Sequence, residues 1–249
     1  MSLLEVHDVH KAYGGVHALD GCSMTFEEGK INGLIGPNGS GKTTLFNVIT
    51  GYEHADSGSV NFRDSEISKA SPNQIFDLGV GRTFQITRIF RDLSVIENIH
   101  AAIQRRGFWS DLGRWNNVPE RERAAEVLEL MGLIPLAHEA AGNLSYGQQK
   151  LLEFATILVA APKVILLDEP AGGVNPSLLR QLTARIRAVN NEGVTFLIVE
   201  HDMEFVMGLC DRISVMNQGK SIAEGVPSEV RANPAVLEAY LGTSTRKKR

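Results

Sequence analysis

Apolar and polar positions along this chain follow two rhythms that take turns. Residues 3–9 are β-rich, and residues 23–26 read as a second strand ahead of the Glu27-Glu28-Gly29 turn. Residues 31–35 form a short apolar run that ends in a glycine-rich loop, and a helix is expected from Lys42. Residues 59–62 add a further strand. From about residue 90 to 161 the rhythm becomes helical. Ala124, Val127, Leu128 and Met131 share one face, and Gly132 is placed to stop that helix. Leu151, Leu152, Ala155, Leu158 and Val159 make a second stripe, and both stripes are expected to pack in a core. Residues 164–167 and 194–199 are apolar runs between helical patterns, as buried parallel strands read. Asn175 and Pro176 supply an N-cap and a first-turn proline for the helix between those strands. Residues 212–216 and 221–223 close the pattern as a hairpin. The alternation predicts an α/β fold.

Composition narrows the setting. The chain has 249 residues, 43% hydrophobic and 22% charged, which is enough for one large domain with its own core. A net charge of −4 gives no general attraction to nucleic acid or to an anionic membrane, so no nucleic-acid partner is expected. Cys22 and Cys210 lack metal or redox spacing and read as free thiols of a reducing compartment. Residues 1–10 show no signal-peptide pattern. The longest apolar candidate, residues 157–167, is broken by Pro162 and Lys163 and falls short of the roughly 18 residues a membrane span needs. If the protein works at a membrane, other chains must cross it. The basic, polar tail, residues 243–249, reads as a disordered end.

The chemistry begins in the glycine-rich loop. Gly36, Pro37, Asn38, Gly39, Ser40, Gly41, Lys42 and Thr43 match the phosphate-loop pattern between a predicted strand and a predicted helix. Its glycines let backbone N–H groups turn inward on phosphates, and the helix adds its positive end. Lys42 supplies charge for the β- and γ-phosphates, Thr43 a hydroxyl for Mg²⁺, and Thr44 help for the α-phosphate. ATP and Mg²⁺ are the ligands this pattern implies. Later, an apolar strand ends in Asp168 and Glu169. Asp168 suits a Mg²⁺ ligand, and Glu169 suits a general base for an attacking water.

Five further elements fall in a familiar order. The segment Asn143-Leu144-Ser145-Tyr146-Gly147-Gln148-Gln149 resembles the LSGGQ signature of ABC ATPases. In that resemblance Gln85 occupies the Q-loop position beside Mg²⁺, His201 the switch histidine, residues 171–175 the D-loop, and Tyr13 the aromatic that stacks on adenine. It implies a RecA-like phosphate-loop core with a small antiparallel β subdomain and an inserted α-helical subdomain. It also implies that two such domains pair head to tail. Ser145, Gly147 and Gln148 of one would then face the nucleotide on the phosphate loop of the other. Two positions depart from the family pattern. Tyr146 replaces the first signature glycine, so its ring must point away from the nucleotide or pack on the partner. Asn175 replaces the usual D-loop aspartate, and can serve as a helix cap.

The expected organisation is residues 1–89 for the β subdomain and first part of the core, 90–161 for the helical subdomain, 162–242 for the rest of the core, and 243–249 for the tail. Residues 144–150, 168–176, 199–203 and 239–242 further resemble ATPase subunits of bacterial branched-chain amino-acid importers. That resemblance implies a peripheral subunit on the cytoplasmic face of the cell membrane. Its partners would be a related ATPase chain, two membrane proteins and a periplasmic or extracellular solute-binding protein. Urea and amide importers and lipopolysaccharide exporters use similar subunits and stay open. A soluble ABC ATPase is disfavoured by the short spacing from Gln85 to Ser145, the single phosphate loop and the absence of a cysteine cluster. Intact Glu169 and His201 argue against a non-hydrolysing module. Residues 108–115, with Trp109 and Trp115, are either a docking surface for a membrane subunit or a packed loop.

Overall fold

The computed structural model describes residues 2–83, 89–103 and 118–245. The chain opens with β1 (Ser2–Tyr13), β2 (Val16–Glu27) and β3 (Ile31–Ile35), followed by α1 (Lys42–Ile49). Then come β4 (Ser57–Phe62), β5 (Ser65–Glu66), α2 (Pro72–Asp77) and β6 (Val80–Arg82). The helices α3 (Val95–Ile103), α4 (Val118–Met131) and α5 (Tyr146–Leu158) follow, and β7 (Val164–Asp168), α6 (Pro176–Asn191), β8 (Thr195–Val199) and α7 (Met203–Leu209) return to alternation. The hairpin of β9 (Arg212–Asn217) and β10 (Lys220–Gly225) leads to α8 (Pro227–Ala232) and α9 (Pro234–Thr245).

Among the described residues the strands make two sheets. An antiparallel sheet runs β2-β1-β4-β5, and a larger one runs β10-β9-β3-β8-β7-β6. In the larger sheet β6, β7, β8, β3 and β9 are parallel, and β10 joins antiparallel at the edge. Side-chain alternation along these strands feeds two cores. Ile31, Ile35, Ile165, Leu167, Phe196 and Ile198 point to one face, where they meet α3–α7. Leu34, Val164, Leu166, Leu197 and Val199 point to the other, where they meet α1 and the antiparallel sheet. Strands buried on both faces explain why their sequences show no polar alternation.

Local signals account for the helix boundaries. Gly132 ends α4 with φ +68°, a conformation in which glycine carries no Cβ penalty. Asn175 caps α6 by accepting the Leu178 N–H at 2.9 Å, with Pro176 in the first turn. Both predicted helical stripes, on α4 and α5, are buried. The antiparallel strands run longer than expected, β1 to Tyr13 and β2 from Val16, because pairing with each other carries them past their apolar segments. The tail differs too: α9 continues through Thr245, so residues 243–245 are helical rather than disordered.

Candidate active site

Strand register brings the candidate residues together. Leu34 of β3 pairs with Val199 of β8, and Val199 pairs with Asp168 of β7. The next residues on these three strands therefore emerge side by side from the carboxyl edge of the sheet: the phosphate loop after Ile35, Glu200 and His201 after Val199, and Glu169 after Asp168. That edge is where open α/β sheets bind ligands.

The phosphate loop is tightly enclosed. A Cβ on Gly36 would stand 2.2 Å from the Met216 carbonyl oxygen, so only glycine fits there. The Ser40 N–H donates to the Pro37 carbonyl at 3.1 Å, and the Ser40 carbonyl accepts the Gly219 N–H at 2.9 Å, tying the loop to the turn of the closing hairpin. Lys42 is buried, and its Nζ donates to the carbonyls of Gly36 at 2.8 Å and Pro37 at 3.0 Å. Burial lowers its pKa from the ordinary lysine value, opposed by the Glu169 and Asp168 carboxylates. Asn38, Gly39 and Thr43 are exposed at the loop surface and Thr44 is half-buried. Tyr240 of α9 lies against this loop at the Gly36 backbone.

Asp168 is only 8% exposed, and its Oδ2 accepts a bond from Arg82 Nη2 at 3.1 Å. Burial pushes its carboxyl pKa up, and the Arg82 guanidinium pulls it back. Arg82 also donates to Asn47 and Thr50 of the α1 region, and its guanidinium carbon lies 5.5 Å from the Phe46 ring centre and 5.7 Å from that of Tyr52. A pair so buried contributes orientation more than net stability. An exposed Thr43 hydroxyl and the Asp168 carboxylate are hard oxygen donors of the kind Mg²⁺ takes when phosphates complete its shell. Among the described residues no group of three or more His, Cys, Asp or Glu could hold a metal alone.

Glu169 has φ +48°, a costly conformation for a non-glycine residue that concentrates at working sites. Its N–H donates to the Val199 carbonyl at 2.9 Å, which fixes the turn. His201 Nδ1 lies 3.9 Å from Glu169 Oε1 and 3.6 Å from Glu200 Oε2. Glu200 is fully buried and receives the N–H groups of His201 at 3.0 Å and Ala171 at 2.7 Å, so it joins the histidine segment to the loop after Glu169.

The signature segment opens α5. Ser145 caps α5, and its side chain and that of Gln148 form a reciprocal capping box: Gln148 N–H to Ser145 Oγ at 3.3 Å, Ser145 N–H to Gln148 Oε1 at 2.9 Å. Gln148 is thus engaged within its own helix. Gly147 is buried against α6, where a Cβ would collide with Leu178 Cδ2 at 1.9 Å. Tyr13 is 45% exposed at the end of β1, with Lys11 Nζ 5.5 Å from its ring centre. Gln85 and residues 108–115 lie outside the described residues.

Residues 19–172 match the family model for the ABC transporter, over more than half of the chain. The chain belongs to the ABC transporter ATP-binding family. Residues 220–245 match a second model, the branched-chain amino acid ATP-binding cassette transporter. The chain is similar to the high-affinity branched-chain amino acid transport ATP-binding protein LivG of Salmonella typhimurium, 41% identical over 96% of this chain and 98% of that one. It is 39% identical to the corresponding protein BraF of Pseudomonas aeruginosa, over 96% and 98%. A crystal structure described as the ADP conformation of an ATP-binding cassette of an ABC transporter superposes with a TM-score of 0.86 at 36% identity, over 97% of this chain and 99% of that one. The expected RecA-like core with its antiparallel subdomain and helical insert is the fold of this family.

Sequence reasoning missed Arg82, Glu200 and Lys150. Lys150 Nζ donates to the carbonyls of Gly172 at 2.7 Å and Pro170 at 3.3 Å, and burial lowers its pKa. Only an apolar-strand context with a charged residue at its end could have marked Arg82 and Glu200; nothing local pairs Arg82 with Asp168 or Glu200 with Ala171.

Proposed function

We propose that the chain is the ATP-binding and ATP-hydrolysing subunit of an ABC importer that energises uptake of branched-chain or other hydrophobic amino acids. The observation that carries the hydrolytic part is the register of β3, β8 and β7, which sets the phosphate loop, His201 and Glu169 along one edge. Lys42 and the loop N–H groups hold the phosphates, and Tyr13 stacks on the base. Thr43 and Asp168, and Gln85 by the family resemblance, would hold Mg²⁺, which would supply charge withdrawal from the phosphates. Glu169 takes a proton from the attacking water as its oxygen bonds to the γ-phosphorus and the bond to ADP breaks; His201 steadies the γ-phosphate.

The solute assignment rests on the C-terminal match at residues 220–245 and on the names of the relatives. Among the described residues no helix is long and apolar enough to cross a membrane. In this reading the chain acts as a peripheral subunit at the cytoplasmic face of the cell membrane, with a related ATPase chain, two membrane subunits and a solute-binding protein. The division into residues 1–89, 90–161 and 162–242 is part of the same proposal, with α3–α5 as the arm that meets the membrane pair. The test is leucine uptake into vesicles carrying the membrane pair, both ATPase chains and the binding protein. Uptake should need ATP and vanish with Lys42→Ala. Uptake that persists in that variant, or a chain that does not assemble with the membrane pair, would overturn the assignment.

A further inference from the structure

The signature segment carries a tyrosine where the family has glycine, and that tyrosine has neighbours within its own chain. Tyr146 and Lys150 stand four residues apart on α5, so their side chains share a helix face. Lys150 Nζ lies 5.3 Å from the centre of the Tyr146 ring. The same ammonium donates to the carbonyls of Pro170 and Gly172, and Tyr146 Cε1 stands 3.4 Å from the place a Cβ would take on Gly173. Two side chains of α5 therefore grip the loop that begins immediately after Glu169.

The loop is held from the other side as well. Between the two carbonyls taken by Lys150, the Ala171 N–H turns the opposite way and donates to the fully buried Glu200 at the end of β8. One grip thus comes from the parallel sheet, where Glu169 and His201 emerge. The other comes from the helix that carries Ser145. An ammonium has three donors and no acceptor, which suits two carbonyls and a ring face at once. Any rotation of α5 against β7 must pull on the Pro170 carbonyl, one residue from Glu169.

We propose that Tyr146 and Lys150 form a bridge through which the signature helix positions the loop after Glu169, and that Lys150 is a positioning residue for hydrolysis. The bridge deepens the proposed ATPase function and rests on it for its catalytic consequence. It also accounts for the tyrosine: a glycine at position 146 would leave the ammonium uncovered on that side.

Two measurements test the bridge. In the isolated chain without nucleotide, Lys150→Met should speed hydrogen exchange of the amides of residues 171–174 about tenfold, by freeing a loop from local restraint. In the assembled complex with membrane subunits and partner ATPase, Lys150→Met should lower kcat by roughly ten- to a hundredfold with the KM for ATP unchanged, the signature of a misplaced reacting group. Tyr146→Gly should shift both readouts the same way and less. Lys150→Arg should restore both, since a guanidinium can reach two carbonyls. Unchanged exchange in Lys150→Met, an unchanged kcat, or a loss that Lys150→Arg leaves in place would overturn the proposal. If Lys150→Met does not fold, Lys150→Gln, which keeps one donor group without the charge, takes its place: faster exchange and a lower kcat support the bridge, and no change in either overturns it. If the wild-type complex itself fails to hydrolyse ATP, the ATPase reading falls, and the exchange measurement still decides the bridge.

Discussion

Lys42 and Ser145 both stand at the N-terminal end of a helix, one in the phosphate loop and the other in the signature segment, and their surroundings differ in kind. Lys42 is buried, its ammonium ringed by carbonyls of its own loop, and the loop is closed in by the Met216 backbone and the turn of β9 and β10. Ser145 is exposed, and the hydrogen bonds of its side chain stay within its own helix cap. The first helix end is enclosed by the rest of the chain, as the proposed phosphate site requires. The second is finished as a helix cap, and its exposed side is open to a partner. Under the proposed function, the contrast fits a chain that carries the phosphate-holding loop and only part of a hydrolytic site, the remainder of which a second ATPase chain would supply.

Glu169→Gln gives the largest expected effect. Turnover of the assembled complex should fall by roughly 10²–10⁴, the usual worth of a positioned general base, while nucleotide affinity is kept. Steady-state hydrolysis alongside equilibrium ATP binding checks this, and a variant with near-normal turnover would remove Glu169 from its role. Next in size is Lys42→Ala. Loss of charge-assisted bonds to phosphate should weaken MgATP binding by the isolated chain about ten- to a hundredfold. Ser145→Ala sharpens the contrast, because it should leave that binding unchanged while lowering stability by about 1 kcal/mol through its capping box. If Ser145→Ala weakened binding by the isolated chain as Lys42→Ala does, the two helix ends would not be divided between chains. The smallest effect concerns the D-loop asparagine. Asn175→Ala should cost about 1 kcal/mol in denaturant unfolding, and Asn175→Asp almost nothing, because both Asn and Asp cap well.

What could be read beforehand was local. Residues 31–35 form β3 with the expected bounds, Lys42 opens α1, Gly132 stops α4 and Asn175 caps α6, each set by its immediate neighbours. The sheet order was not legible, since parallel strands declare themselves apolar without declaring which neighbour they choose. The side chains that frame the site were hidden for the same reason. Arg82 meets Asp168 across 86 positions, Glu200 meets Ala171 across 29, and Lys150 meets Gly172 across 22. The left-handed backbone of Glu169 was equally invisible, because no residue type there announces it. The antiparallel strands were underread because their outer positions are polar and their pairing is with each other.

The most direct test of the divided site is ATP turnover per chain, measured for the purified protein over a range of concentrations and again after adding the partner ATPase and the membrane subunits. Turnover of the purified chain should be low at every concentration while MgATP still binds, and it should rise when the other subunits are added. High turnover that is independent of concentration and unchanged by those subunits would show that one chain holds the complete hydrolytic site, and would contradict the account.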